Sequence, residues 1–170
     1  MGYKTIAETS RLWIREFVPE DLDDLYRLYE AGGAEYVEPL SADRSVERAR
    51  LESYCVYAYG FYGTGFYGVV EKATGELIGR CGIQVAEING TGLYELGYLI
   101  RKDCREKGYG REAVLAVMDY GKREVGIEKL YVRIHKDNKE SVNFIEKLGF
   151  NRQKTAMAED DITCLYVKNL

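Results

Sequence analysis

The sequence predicts one mixed α/β domain with a central sheet and helices on both faces. Three observations carry that expectation. Period-two hydrophobicity in the middle of the chain marks three consecutive strands. Helical periodicity flanks them on either side. A strand–loop–helix–strand unit then runs from Leu93 to Ile134. At 170 residues the chain has the length of a single domain, 1–170, and roughly 70% of its unfolded surface can be buried without disulfide staples.

Each element has its own signal. Arg11-Leu-Trp-Ile-Arg-Glu-Phe17 alternates polar and apolar residues and reads as a first strand. Pro19-Glu20-Asp21 opens a helix with the residues that favour a first turn; Leu22, Leu25, Leu28 and Tyr29 form its buried stripe, and Gly32-Gly33 ends it. Ser45 to about Tyr59 forms a second helix, with Ser45 as N-cap. Phe66–Glu71 and Leu77–Glu87 flank Ala73-Thr74-Gly75, and Asn89-Gly90 leads into Leu93–Ile100; two hairpin signals thus give an antiparallel meander. Arg101 to Gly110 is a polar loop. Glu112 to Arg123 is a helix whose Ala113, Val114, Val117, Met118 and Gly121 share a face. Lys129–Ile134 is a strand parallel to Leu93–Ile100, Asn138–Leu148 a helix stopped at Gly149, and Ile162–Lys168 a closing strand.

Composition narrows the function classes. With 46% hydrophobic and 31% charged residues the chain is globular, and its net charge of −4 argues against a general nucleic-acid binder, which needs a basic surface. Cys55, Cys81, Cys104 and Cys164 are widely spaced with no C-x-x-C, as expected of reduced thiols in a cytoplasmic protein. With His135 the only histidine, no metal site is expected. The start Met1-Gly-Tyr-Lys-Thr-Ile6 carries no apolar leader and no myristoylation motif. Ser53–Val70 is uncharged, but its tyrosines and glycines suit no bilayer core, so no membrane contact is expected.

Two glycine motifs compete for a ligand. Gly63-x-Gly65-x-x-Gly68 has the dinucleotide spacing, but it follows a helix and enters a strand, so no helix N-terminus faces a pyrophosphate. Arg105-Glu-Lys-Gly108-Tyr-Gly110 follows a strand and runs into a helix. Its glycines let backbone N–H groups and the helix dipole approach an anion. From Arg101 to Arg111 five basic residues face two acids, a basic island on an acidic chain.

Arg105–Gly110 resembles [QR]-x-x-G-x-[GA], the acyl-CoA pyrophosphate loop of the GCN5-related N-acetyltransferase (GNAT) superfamily. The run from Glu95 through Ala113 resembles the core segment of that superfamily's ribosomal-protein-type N-terminal acetyltransferase branch. Asn138-Lys-Glu-Ser141 with Glu146-Lys-Leu-Gly-Phe150, Ser10-Arg-Leu-Trp-Ile-Arg15 and Leu77-Ile-Gly-Arg80 are similar to further signatures of the branch. The resemblance covers nearly the whole chain in order. It implies a GNAT-like sheet, with the antiparallel meander followed by a β-α-β acyl-CoA crossover.

The resemblance also implies roles. Backbone N–H groups of Arg105, Glu106, Lys107, Gly108, Tyr109 and Gly110 would hold the pyrophosphate of acetyl-CoA, and Arg101, Lys107 or Arg111 would meet its phosphates. Tyr98, Leu99 and Ile100 would pair their backbone with the pantetheine arm, with Asn138 and Ser141 on its other side. Asn138 equally suits a plain helix N-cap. Many superfamily members carry a tyrosine seven residues after the asparagine as general acid; here Ile145 stands there, so water or Ser141 would supply the proton. Glu95 is the candidate general base, and a bulge near Gly97 would decide which face it uses. The tyrosines from Tyr54 to Tyr67 read as core packing or as acceptor-site walls.

The expected function is acetyl transfer from acetyl-CoA to a primary amine by direct attack, with a protein or peptide N-terminus as acceptor. An α-amine near pKa 7.7–8.0 is roughly a tenth neutral at pH 7, a lysine about 0.04%, a difference of roughly 3 kcal/mol in the base's task. Two alternatives stand beside it: a small amine such as a polyamine, amino acid or antibiotic as acceptor, or a non-catalytic acyl-CoA-binding module. A homodimer is left open.

Overall fold

The computed structural model describes residues 3–88, 90–153 and 162–170. Met1, Gly2 and Asn89 lie outside them, so the expected Asn89-Gly90 turn is described only from Gly90 onward.

Eight strands form one sheet in the order β1-β2-β3-β4-β5-β6-β8-β7. They are β1 (Thr5–Glu8), β2 (Leu12–Arg15), β3 (Phe66–Glu71), β4 (Leu77–Ile88), β5 (Thr91–Ile100), β6 (Lys129–His135), β7 (Asn151–Arg152) and β8 (Thr163–Asn169). The expected meander is β3-β4-β5. Among the described residues only β5 and β6 are parallel, as a crossover through a helix requires. Strands β1 and β7 were not expected: β1 is an edge strand of four half-exposed or exposed residues, and β7 has two residues.

Among the described residues four α-helices cover both faces: α1 (Leu22–Glu30), α2 (Arg44–Tyr54), α3 (Tyr109–Tyr120) and α4 (Lys139–Lys147). Leu22, Leu25 and Leu28 of α1 and Leu51 of α2 pack with Phe17, Leu77 and Leu99 on one face of the sheet. On the other, Ala113, Val114 and Val117 of α3 and Ile145 of α4 join Tyr67, Cys81, Ile83 and Leu130 in the larger core.

Several local details differ from expectation. Pro19–Asp21 forms a 3-10 turn ahead of α1, and Asp21 accepts two bonds from Arg15 and one from the Val18 N–H. The N-cap of α2 is Asp43, not Ser45, because the Asp43 carboxylate reaches the N–H groups of both Ser45 and Val46. The second helix does not stay α to Tyr59. From Cys55 to Tyr62 it widens into π geometry, closed by Gly63 at φ +68°. An i to i+5 repeat turns Tyr54 and Tyr59 to one side, where both phenols bond the backbone of Phe66.

Candidate active site

Strand β5 pairs with β4 along its full length, Thr91 to Ile100. With β6 it shares a single register pair, Glu95 with Tyr131. Beyond that rung the strands part, and the β6-facing backbone of Leu96–Ile100 has no ladder partner. The register opposite β4 is unbroken, so the expected bulge near Gly97 is not there. Gly97 serves another need: the Phe66 ring lies where its Cβ would stand.

Two cavities open at the parting. A cleft of about 610 Å³ follows Leu99 and Ile100 to Gly108, Gly110 and Arg111, with Phe144 opposite. A cavity of about 750 Å³ lies on the sheet face under α1 and α2, reaching Tyr54, Phe66, Arg80 and Glu95. They share Tyr36, Val37, Tyr98, Asn138 and Ser141, so a ligand in one can meet a ligand in the other.

The loop after β5 is shaped for close backbone approach. Lys102–Cys104 makes one 3-10 turn, Glu106 takes φ +61°, and Gly108 enters α3 at φ +83°. No side chain caps α3, and Glu112 N–H to Gly108 O, 3.1 Å, begins the bonding. The N–H groups of Tyr109, Gly110 and Arg111 therefore lack intrahelical acceptors beside the cleft, at the positive end of the helix dipole. A clamp holds this end in place. Glu112 accepts from Thr9 and from the Arg11 backbone and side chain, while Arg11 donates to the Lys107 carbonyl and covers the Tyr109 ring at 4.4 Å. Sequence reasoning missed Arg11 in this role, because its partners lie about a hundred residues away.

The basic island is partly tied down. Arg101 is not brought to the cleft wall: it pairs with Asp103 and Glu76 at 2.7 and 2.9 Å, and the Asp103 hydrogen bond holds its pKa above the usual guanidinium range. Arg105 lines the cleft as a brace, donating to the carbonyls of Ile100 (3.0 Å) and Gly33 (2.8 Å) and pairing with Glu140. Gly33, at φ +86°, has no Cβ to collide with that guanidinium. Lys107 is exposed and outside both cavity walls. Arg111, in the first turn of α3, also lines the cleft, as does Lys147 of α4.

At the seam, Asn138 caps α4 by accepting from the Ser141 N–H, and the Ser141 hydroxyl meets the Tyr98 phenol at 2.6 Å. Burial pushes the Tyr98 phenol well above its ordinary range. Ile145 is fully buried in the core, so that position offers no side chain to the seam. Glu95 is buried on the cavity wall, and both its oxygens accept from Arg133, at 2.7 and 2.8 Å. His135, at the end of β6, accepts from the Asp137 N–H and stacks on Tyr36, ring centres 5.0 Å apart. Of the tyrosine-rich segment, Tyr59 and Tyr67 stack within the fold, whereas Tyr54 lines the cavity with its phenol pushed up to about 12 by burial. The wall from Tyr36 to Leu40 was not anticipated; only folding brings that loop over β5.

A parted parallel strand pair, an uncapped glycine-led helix and a second cavity meeting both make a site that suits an extended, phosphate-bearing ligand with a second ligand beside it. The comparisons place it more narrowly. The chain belongs to the GNAT family, a family of acetyl-CoA-dependent N-acetyltransferases; its acetyltransferase (GNAT) domain model matches residues 11–151.

Among similar proteins, the uncharacterized protein YkkB of Bacillus subtilis is 35% identical over 94 residues, 55% of each chain. The chain thus spans about half the length of that relative. The uncharacterized N-acetyltransferase p20 of Bacillus licheniformis is 24% identical over 85% of this chain and 82% of its own. The solved structure of the ribosomal α-N-protein acetyltransferase RimL in complex with coenzyme A superposes with a TM-score of 0.78 at 14% identity, covering 98% of each chain. At that identity the likeness shows the fold.

Among the described residues no helix is long and apolar enough to cross a membrane, and no His, Cys, Asp and Glu cluster has the makings of a metal site.

Proposed function

We propose that this protein transfers the acetyl group of acetyl-CoA to a primary amine, with the α-amine of a protein or peptide N-terminus as acceptor. The observation that carries the reading is the parting of β5 and β6. It leaves the β6-facing backbone of Leu96–Leu99 without a ladder partner and open to an amide-bearing arm at the point where the two cavities join, while Arg105 already occupies the Ile100 carbonyl.

The residues present suit such a donor. The N–H groups at the start of α3 and Arg111 suit its phosphates, the open edge of β5 suits its pantetheine amides, and Asn138 and Ser141 stand on the arm's other side. The donor supplies a thioester carbonyl. The amine nitrogen forms a C–N bond to that carbonyl as the C–S bond breaks, the amine loses a proton, and coenzyme A leaves with the sulfur's electron pair.

Glu95 borders the cavity where the amine would enter. With an Arg133 N–H on each oxygen it can still accept through its remaining lone pairs, directly or through water. This modest base favours an acceptor that is already partly neutral at pH 7, which an α-amine is and a lysine is not. The paired hydroxyls of Tyr98 and Ser141 offer a hydrogen bond to the departing sulfur. Four free cysteines agree with work in the cytoplasm.

The test is thiol release from acetyl-CoA with two matched peptides, one with a free N-terminus and no lysine, the other N-blocked with one lysine. Release with the first is expected. Release with the second alone, or with neither, overturns the acceptor assignment.

A further inference from the structure

Arg80 stands in the first third of β4, opposite Leu99 of β5, and lines the sheet-face cavity. Its guanidinium carbon lies 4.5 Å from the centre of the Phe66 ring and 5.5 Å from that of Tyr29. Its Nε is fully buried with no hydrogen-bond partner, and among the described residues no carboxylate pairs with its guanidinium. Aromatic faces hold the planar cation and fix its orientation, but they offer no acceptor in the plane of its N–H groups.

The other charges around this cavity are accounted for. Glu47 faces Arg50 at 3.6 Å and accepts from the Ser41 N–H, and Glu95 is forked by Arg133. Glu38 is exposed at the rim. A buried polar atom without a partner is rare in a native protein, and among the described residues no carboxylate balances this cation. With Nε closed off, a ligand in the cavity meets the guanidinium at its terminal N–H groups, whose paired geometry a carboxylate matches.

We propose that Arg80 receives a carboxylate of the acceptor, so that the preferred substrate is an amine with a carboxylate close by. This rests on the acetyl transfer proposed above and specifies its substrate class. Arg80 lines the same cavity as the seam residues Tyr98 and Ser141, so an acceptor with its amine at the seam can turn a nearby carboxylate toward Arg80. Two sources share that chemistry: the α-carboxylate of a free amino acid, and the side chain of an acidic residue at a peptide N-terminus. A polyamine does not fit, since it would bring further cations to a wall that already holds an unpaired one.

The experiment compares kcat/KM for acetyl transfer within two sets. One set is peptides with free N-termini that begin with Glu, Gln or Lys; the other is alanine and alaninamide. The carboxylate member of one set is expected to exceed its amide at least tenfold, mostly through KM, and the set that shows the ratio identifies the source. Arg80→Gln is expected to bring that ratio to about one, and Arg80→Lys to restore part of it. Equal values in both sets, a preference for the Lys peptide, or a ratio that survives Arg80→Gln in a folded variant overturns the proposal.

If no acceptor turns over, the acetyl-transfer reading fails, and Arg80 is judged on its own. Glutarate binding to the protein saturated with coenzyme A is then expected to weaken at least tenfold in Arg80→Gln. Glutarate that binds both proteins alike, or neither, overturns the assignment.

Discussion

The Tyr98 phenol and the Ser141 hydroxyl stand 2.6 Å apart, one on β5 and one on α4, where the loop-side cleft and the sheet-face cavity join. One of them donates to the other, which leaves the pair one proton to offer a ligand. Burial pushes the phenol up, so it stays protonated through the working pH range. Under the proposed acetyl transfer the pair would act on a departing thiolate by hydrogen bonding rather than by giving up a proton.

Ser141→Ala is therefore expected to lower kcat about fivefold, the scale of one net hydrogen bond. Affinity for acetyl-CoA should fall less, and the alkaline side of the pH–rate profile should keep its shape. Steady-state kinetics across pH 6–10 checks all three. A loss of a hundredfold or more would assign full proton transfer to the pair instead.

Gly110 separates ligand space from protein space. A Cβ there would stand 3.5 Å from Ile100 Cγ1 and 4.0 Å from Phe144 Cζ, an ordinary contact that the fold accommodates. Gly110→Val should consequently fold, yet weaken acetyl-CoA binding at least tenfold by crowding the N–H groups at the start of α3; Gly110→Ala should fall between. Calorimetric titration alongside thermal denaturation distinguishes the two effects. Wild-type affinity in the valine variant would remove the loop from the donor site.

Glu95→Gln should reduce turnover more than donor affinity, with the loss easing as pH rises and more of the amine is neutral from the start. The same change leaves Arg133 without its carboxylate, so a stability loss of about 1–3 kcal/mol is also expected. Urea denaturation measures the second effect, and single-turnover kinetics on the folded variant measures the first. A wild-type rate would confine Glu95 to its ion pair.

Glu112 links acidity to the clamp on α3. Burial works to raise its pKa, but the bonds from Thr9 and Arg11 outweigh it and hold the carboxylate below its ordinary range. A group with a depressed folded pKa stabilises above its unfolded pKa and loses that contribution as pH falls through the folded value. Wild type should therefore exceed Glu112→Gln in stability at pH 7, and the gap should close below about pH 4. Urea midpoints of both proteins from pH 3 to 7 test this.

The meander, the crossover helix and α4 were legible because their apolar spacing is local: a strand or helix buried on one side repeats every two residues or about every 3.6. Strand β1 was not, since Thr5–Glu8 buries little and owes its shape to β2. The π-helical stretch kept a helical pattern, and only the two phenols bonding Phe66, Tyr54 accepting from its N–H and Tyr59 donating to its carbonyl, show why it widens. The loop from Arg105 to Gly110 and the cap at Asn138 were readable as motifs. The Arg133 fork on Glu95, the Arg11 clamp and the rings around Arg80 were not, because each joins residues that are near only after folding.

The single backbone rung between Glu95 and Tyr131 also has a mechanical side. Strands β1–β5 and β6–β8 meet in the sheet at that rung, and the Arg133 side chain laces the same joint. A rotation of one half against the other would pivot there and grow with distance from it. Such a jaw would gape least at Glu95 and most at the loop end of β5. The donor's bulky phosphates would enter at the wide end, while the amine would meet its carbonyl close to the pivot, where the frame would move least.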